Sequence, residues 1–335
     1  MSGPLLPEKI LRELADLWVT TGKDGHAETG AGVLRACAMT LIVLAEESED
    51  VAGLNETIAA LMPEHPARTI LIRLRGSGPR ALAERVYVQC WTPFGERRQI
   101  CSEHLEITAS DLALADLPSV LEPLAAPDLP VIVWSRCARL FHAPEFRSLA
   151  ALGRKVVVDS MGLPDAPAAL RGLAELAEGG AALVGDLSWT QLTRWRDMLS
   201  RVFENREYLA RLPEITGVRV WFAGGAAPVH AWYMGAWVIN ALADAGISAR
   251  LDLAPEPALK ARALRVELGG GAFRIVLERQ EDRLSVQVGT LSQCMNLPLP
   301  TDYLLMREEL AIVRRDAVFL RTLASAARLA ASTSA

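Results

Sequence analysis

The stretch that decides the fold runs from Pro127 to Phe203. It reads PDLPVIVWS at 127–135, RKVVVDS at 154–160 and LVGDLSWTQLTRWRDMLSRVF at 183–203, with a helix-length insert after each of the first two. Val131–Trp134 and Val156–Val158 are short β-rich runs, each introduced by a turn or polar signal and followed by a segment of helical composition. Strand, helix, strand in that order is a βαβ unit and requires a parallel sheet. Runs this continuously apolar are covered on both faces, which places the strands mid-sheet between helices. Asp159 and Asp186 then fall where strands end, the edge of an open α/β sheet at which ligands and partners are usually held. Turn and helix-capping duty accounts for an Asp there equally well.

Working outward, a chain of 335 residues exceeds the size at which a single core stops growing, so two domains are expected. Residues 1–205 read as an α/β domain with a mixed, largely parallel sheet flanked by helices, entered by a helix and mobile loop over residues 1–30. Residues 206–335 read as a second, α+β domain with an antiparallel meander and a long C-terminal helix. The chain is 51% hydrophobic and 22% charged with a net charge of −5, which argues against nucleic acid or an anionic membrane as the main partner. The start, MSGPLLPEKILREL, lacks a basic segment followed by an apolar core. The longest apolar run, Ala36–Ala45, is interrupted by Thr40 and falls short of the about 20 residues that span a bilayer. A soluble, cytoplasmic protein is the expectation.

Five cysteines (Cys37, Cys90, Cys101, Cys137, Cys294) without a C-x-x-C pair point to reduced thiols. Cys90 and Cys101 flank TPFGE, which reads as a hairpin turn. With Phe94-Gly95 as the two-residue loop, Cys90 faces Gln99 and Cys101 is a diagonal neighbour, about 7 Å away, too far for an unstrained disulfide. A one-residue bulge would change that, so the two are kept as redox candidates.

In chain order, Ile10, Leu11, Leu14, Leu17 and Trp18 mark one amphipathic helix, and Thr21–Thr29 reads as a mobile loop. Leu34–Leu44 is the first strand, Asp50–Leu61 a helix, Thr69–Leu74 a strand, and Arg85–Cys90 with Gln99–Ile107 an antiparallel hairpin. Thr108–Leu124 is helical in composition, with Ser110 or Asp111 as its cap. Ser188 followed by Gln191 is a capping box that starts a helix at Trp189. Its tryptophans and arginines either anchor a partner, as at binding hot spots, or fill the core. Beyond Thr216 come a strand at Val218–Phe222, the loop GGAAP and a helix from Val229 to Ala243. A glycine loop opening a helix can hold a phosphate on free N–H groups, and Gly224-Gly225 is a candidate on that ground alone. Leu264–Leu268, Phe273–Arg279 and Leu284–Val288 form the meander, its GGG at 269–271 being turn chemistry. Asp302 caps one long helix with a stripe of Tyr303, Met306, Leu310, Val313, Ala317 and Leu320, and AASTSA at the end should fray. The five histidines are dispersed and suggest no metal, and no dinucleotide, P-loop or nucleophile-elbow fingerprint is present. Weight therefore shifts to a protein that works through surfaces.

Five segments in order carry a family resemblance: EHPARTILI (64–72), ICSEHLEI (100–107), APDLPVIVWS (126–135), VVVDS (156–160) and above all GDLSWTQLTRWRDML (185–199). Over residues 35–325 the chain resembles the glucose-6-phosphate dehydrogenase assembly protein family (OpcA). The resemblance implies a non-catalytic protein, without a cofactor, that binds glucose-6-phosphate dehydrogenase, favours its active oligomer and acts as an allosteric activator supporting NADPH production in the oxidative pentose phosphate pathway. In photosynthetic relatives it also implies a link to thioredoxin and cysteine redox state. Carried over by position, Trp134, Asp159, Asp186, Trp189, Thr190, Leu192, Trp195 and Arg196 match family motifs. Ser135, Arg136 and Cys137 stand where the family has a second tryptophan and Pro-Gly, and Gln191 and Arg194 stand where Arg and Pro are usual. Partner-binding candidates are thus Trp134, Trp189, Gln191, Arg194, Trp195 and Arg196, with Arg194 replacing the charge missing at Gln191. The alternative is an enzyme acting on a sugar phosphate, with Asp159 or Asp186 as its base.

Overall fold

The computed structural model describes residues 6–29, 33–78, 82–92, 99–180, 182–260 and 262–333. The chain divides into two compact units, Met1–Val158 with Gly179–Gly185, and Asp159–Glu178 with Asp186–Ala335.

In the first unit, α1 (Pro7–Thr29) buries Ile10 and Leu14. The expected loop at Thr21–Thr29 is instead the end of this helix, since a helical glycine costs only about 1 kcal/mol and the residues around it tolerate the helix. The single strand expected at Leu34–Leu44 is two, β1 (Val33–Arg35) and β2 (Met39–Glu46). The chain changes partners between them: β1 pairs with β5 (Gln99–Ala109), whereas β2 lies between β3 (Ala67–Leu74) and β6 (Val131–Ser135). Every residue from Met39 to Ala45 is buried, as a strand covered on both faces requires. β4 (Leu82–Trp91) runs antiparallel to β5, and β7 (Lys155–Val158) and β8 (Leu183–Asp186) complete eight strands among the described residues. Helices α2 (Val51–Leu61), α3 (Leu117–Leu124), α4 (Ala138–Phe141) and α5 (Pro144–Ala150) connect them. Asp111–Asp116, expected as α-helix, is a 3-10 turn leading into α3.

The TPFGE turn lies outside the described residues, but the strands it joins fix their own register. Cys90 stands directly opposite Cys101, and the two form a disulfide rather than the expected reduced, diagonal pair. The Cys101 carbonyl turns away from β4 to accept the Ala36 N–H. Cys90 and Cys101 are therefore a non-hydrogen-bonded pair, the closer of the two antiparallel kinds. Cys37, Cys137 and Cys294 are free thiols.

Numbered in chain order, the strands β2, β3, β5, β6, β7 and β8 lie side by side as third, second, first, fourth, fifth and sixth. That is the order of doubly wound dinucleotide-binding sheets, with β4 added at the edge. A buried ion pair ties its edge together. Glu103 on β5 accepts from Arg68 Nε of β3 at 2.6 Å and from Trp18 Nε1 of α1 at 2.6 Å, and pairs with Arg35 of β1 at 2.6 Å. Replacing Glu103 with alanine strands the buried Arg68 guanidinium. We expect a loss of about 3–5 kcal/mol in the denaturant-unfolding free energy of E103A, and a loss below about 1 kcal/mol would show that the pair is not the tie described.

The second unit contains α6 (Ala166–Glu178), α7 (Leu187–Thr190), α8 (Thr193–Val202) and α9 (Arg206–Ala210). Because α8 packs on β13 (Arg283–Val288), the expected boundary at 205/206 falls inside this unit. The expected meander is present as β11 (Leu264–Gly270), β12 (Phe273–Gln280) and β13. Three further strands widen it: β9 (Gly217–Phe222), β10 (Arg250–Pro255), which runs parallel to β9, and β14 (Leu291–Asn296). One face alternates into the core through Val218, Val220, Phe222, Leu264, Val266, Leu268, Ile275 and Leu277. α10 (Val229–Asp244) is buried on more than one side, through Trp232, Tyr233, Met234 and Ala236, as its apolar surround predicts. The single C-terminal helix expected is two, α11 (Asp302–Leu310) and α12 (Ala317–Thr333). Thr301, not Asp302, caps α11 by accepting the Leu304 N–H, and Asp316 starts α12 by accepting the Phe319 N–H at 2.9 Å. Val313, expected in the stripe, sits in the break and is 70% exposed.

Candidate functional site

Two places in this fold concentrate chemistry, one in each unit. The first is the crevice where β2 and β6 diverge, since strands to either side of that pair connect in opposite directions. In a dinucleotide-binding sheet, glycines and the bare N-terminus of the first helix take a pyrophosphate here. This chain has EESED after β2. Asp50 caps α2 itself, accepting the Ala52 N–H at 3.0 Å, and lies so close that a Cβ on Gly53 would sit 2.8 Å from its Oδ2. Glu49 pairs with Arg136, and Glu46 accepts from Arg139 Nε at 2.8 Å and from the Cys137 thiol at 2.8 Å. Arg139 also reaches Asp111. Three carboxylates thus stand where phosphates would lie, and the arginines facing them are already engaged. The residues present do not fit a dinucleotide. Burial and the Glu46 carboxylate push the Cys137 thiol up to about 12, so it is no nucleophile at neutral pH.

The second place is built by GDLSWTQLTRWRDML. Asp186, at the end of β8, is fully buried. Its Oδ1 accepts the N–H of Ser188 at 2.9 Å and of Ser160 at 3.3 Å, and its Oδ2 accepts the Tyr233 hydroxyl at 2.8 Å. Asp186 is the cap of α7, the role expected of Ser188. The Ser188 hydroxyl instead shares a 2.7 Å hydrogen bond with Ser160. The helix expected to run on from Trp189 breaks at Gln191 and Leu192, where the Leu192 N–H turns back to Trp189 O. Trp189 packs against Tyr233 and Phe319 with ring centroids 6.0 and 5.7 Å apart, and its indole N–H donates to Asp316. Thr190 donates to the buried Glu309 carboxylate at 2.7 Å. The Arg196 guanidinium lies 3.5 Å from the Trp189 ring centroid and donates to Trp189 O, and burial lowers it to about 10.

The structure brings Asp186, Trp189, Thr190 and Arg196 together, but as an interior hub. Trp189 and Trp195 are 3% and 4% exposed, and Trp134, on β6 with Arg136 over its ring, is wholly buried. Arg194 is exposed and Gln191 half-buried, its amide donating toward the Met161 sulfur and Ser188 O. Asp159 caps a 3-10 turn by accepting the Met161 N–H at 3.1 Å. The Gly224–Gly225 loop is exposed, and Gly224 takes φ +96° to make its turn. Among the described residues no cluster of three or more His, Cys, Asp and Glu is arranged for a metal ion, and no helix is long and apolar enough to cross a membrane. Sequence reasoning missed Tyr233 and Ser160 as the partners of Asp186. Their only signal was their own polarity inside apolar segments.

Burial raises Asp186 to about 6, above the usual carboxylate range. The folded chain then holds more protons than the unfolded one between roughly pH 4 and 6, so this group's contribution to stability falls as pH rises through that window. His104 and His230, which burial lowers to about 4, act in the opposite sense and cancel in a comparison of two variants. Relative to D186N, the wild type should lose thermal stability as pH rises from about 4 to 7, and a flat difference across that range would contradict the assignment.

Two family profiles match the chain in order. The one described as the glucose-6-phosphate dehydrogenase subunit N-terminal domain covers residues 58–175, and the one described as its C-terminal domain covers 182–323. A putative OxPP cycle protein OpcA of Nostoc punctiforme is 26% identical over 200 residues, covering 57% of this chain and 42% of that protein. The protein of the same description in Synechocystis is 25% identical over 194 residues, covering 57% and 39%. The chain thus spans about two-fifths of the length of these relatives. Among solved structures, an NAD binding oxidoreductase from Klebsiella pneumoniae superposes with a TM-score of 0.49 at 10% identity, covering 88% of this chain and 96% of that one. Biliverdin reductase from Synechocystis gives 0.48 at 9% identity, covering 88% and 98%. Likeness at this level speaks to neither ligand nor reaction.

Proposed function

Since the chain belongs to the glucose-6-phosphate dehydrogenase assembly protein (OpcA) family, we propose that it is a non-catalytic partner of glucose-6-phosphate dehydrogenase. It binds that enzyme in the cytoplasm, favours its active oligomer and raises its activity, and so supports NADPH production in the oxidative pentose phosphate pathway. The observation that carries this reading is the match of both domain profiles, in order, over most of the chain. An activator of this kind must bind the active state more tightly than the inactive one, and about 1.4 kcal/mol of preference shifts the balance tenfold.

Burial of Trp134, Trp189 and Trp195 gives these rings a positioning role. Trp189 and Trp195 hold α7 and α8 so that Arg194, Gln191 and the outer edge of Arg196 meet the partner. The competing reading, catalysis by Asp159 or Asp186, has less support, because both carboxylates already serve as caps and Asp186 is closed off from solvent. Purified with glucose-6-phosphate dehydrogenase of the same organism, the chain should co-elute with it and lower its apparent KM or raise its kcat. R194A, an exposed substitution, should weaken that binding by about fivefold (~1 kcal/mol) without changing the melting temperature. Absence of both co-elution and kinetic change would remove the reading, and unchanged affinity in R194A would remove Arg194 from the contact.

The Cys90–Cys101 disulfide supplies a redox handle on the same function. Cys90 is exposed whereas Cys101 is fully buried, so a dithiol reductase of the thioredoxin type attacks from the Cys90 side, forming its own disulfide as this one is reduced. C90S and C101S should show the same activation in oxidising and reducing buffer, while the wild type differs between them. Equal activation by all three proteins in both buffers would end the switch.

A further inference from the structure

On the outer face of the second unit's sheet, one cross-strand row reads Arg250, Gly217, Gly269, Arg274, passing from β10 through β9 and β11 to β12. Strand side chains stand roughly perpendicular to their sheet, so two adjacent glycines leave a strip of bare backbone between two arginines. The next row on that face, Asp252, Arg219 and Glu267, walls one side of the strip. A cavity of about 510 Å³ lies there, lined by these residues and by Thr216 and Gly271. That is the size of a small-molecule site.

The two floor glycines have different reasons to be there. At Gly269 a Cβ would lie 2.7 Å from the Phe273 carbonyl oxygen, so the ladder itself demands glycine. At Gly217 a Cβ would meet nothing closer than 3.9 Å, and the residue is not at positive φ. Nothing in the fold requires glycine at 217, where a β-branched residue would strengthen the strand. Its effect is to keep the floor open.

The walls are set up for an anion. Arg219 donates to Asp252 at 2.7 Å and Arg274 pairs with Glu267. Among the described residues Arg250 is exposed and makes no side-chain ion pair. Three guanidiniums against two carboxylates leave one positive charge. The side chains of Arg219 and Arg274 are each 55% exposed, and solvated pairs of this kind contribute little. Either arginine can therefore turn an N–H edge to an incoming oxyanion at small cost. We infer that this notch binds a small phosphorylated metabolite, its phosphate held by Arg250 together with Arg219 or Arg274, and its body lying on the Gly217–Gly269 floor. Phosphate is favoured over a lone carboxylate because its oxygens can accept from two guanidiniums at once.

The site stands apart from the partner reading above, and its test does not involve that enzyme. Isothermal titration of the full chain with a hexose monophosphate, inorganic phosphate and citrate separates the sources of an oxyanion. Saturable binding of the hexose monophosphate is expected, with weaker binding of inorganic phosphate. G217L, which fills the floor, and R250Q, which removes the free charge, should each weaken binding at least tenfold while the melting temperature stays at the wild-type value. R250Q alone decides the matter if G217L does not fold. No saturable heat with any of the three ligands, or binding that survives both substitutions, would overturn the site. Saturation by citrate alone would overturn the assignment to phosphate.

Discussion

The buried Asp186 carboxylate is the constraint on which the second unit depends. A carboxylate removed from water has to be compensated by hydrogen bonds or carry a proton. Here its two oxygens collect the start of α7, the turn at Ser160 and the Tyr233 hydroxyl of α10. Once α7 is fixed, Trp189 is fixed, and with it the contacts to Phe319 of α12 and to Asp316 ahead of it. The same short segment places Thr190 on Glu309 and Arg196 over the indole. Four polar or charged groups are thereby buried without being stranded, which is why so polar a segment can lie inside.

The first unit shows how a strand order can outlast the chemistry it usually serves. Its sheet has the strand order that opens a crevice between two parallel strands. Side chains decide the matter otherwise. Glu46, Glu49 and Asp50 bring the negative charge themselves and consume Arg136, Arg139 and the N-terminus of α2. A fold supplies positions, whereas function lies in the groups set on them.

Much of the architecture could be read from local pattern. The apolar runs at Val131–Trp134 and Val156–Val158 gave adjacent parallel strands, Arg85–Cys90 with Gln99–Ile107 gave the antiparallel hairpin, and the repeated apolar alternation after Leu264 gave the meander. The errors fall where one pattern served two partners. Leu34–Leu44 reads as one strand because every residue is compatible with extension, but its two halves pair with different strands. The C-terminal stripe reads as one helix because periodicity does not register that Asp316 finds a better use as the cap of a new one. The pairing of Cys90 with Cys101 escapes that reading because a two-residue loop at Phe94-Gly95 puts Cys90 opposite Gln99, two residues from the partner it has in the ladder, and register decides which side chains meet.

By itself the sequence determined the βαβ core, the meander and the family, and it singled out the residues around Trp189, because these readings depend on periodicity and on motifs that survive without coordinates. Only the tertiary structure decided which way those residues face. Burial is a property of the whole packing, so the same tryptophans and arginines suit a surface anchor and an interior hub until α10 and α12 are seen to close over them. The row of Arg250, Gly217, Gly269 and Arg274 could not be read from the chain either, since its members come from four strands and meet only through the ladder register.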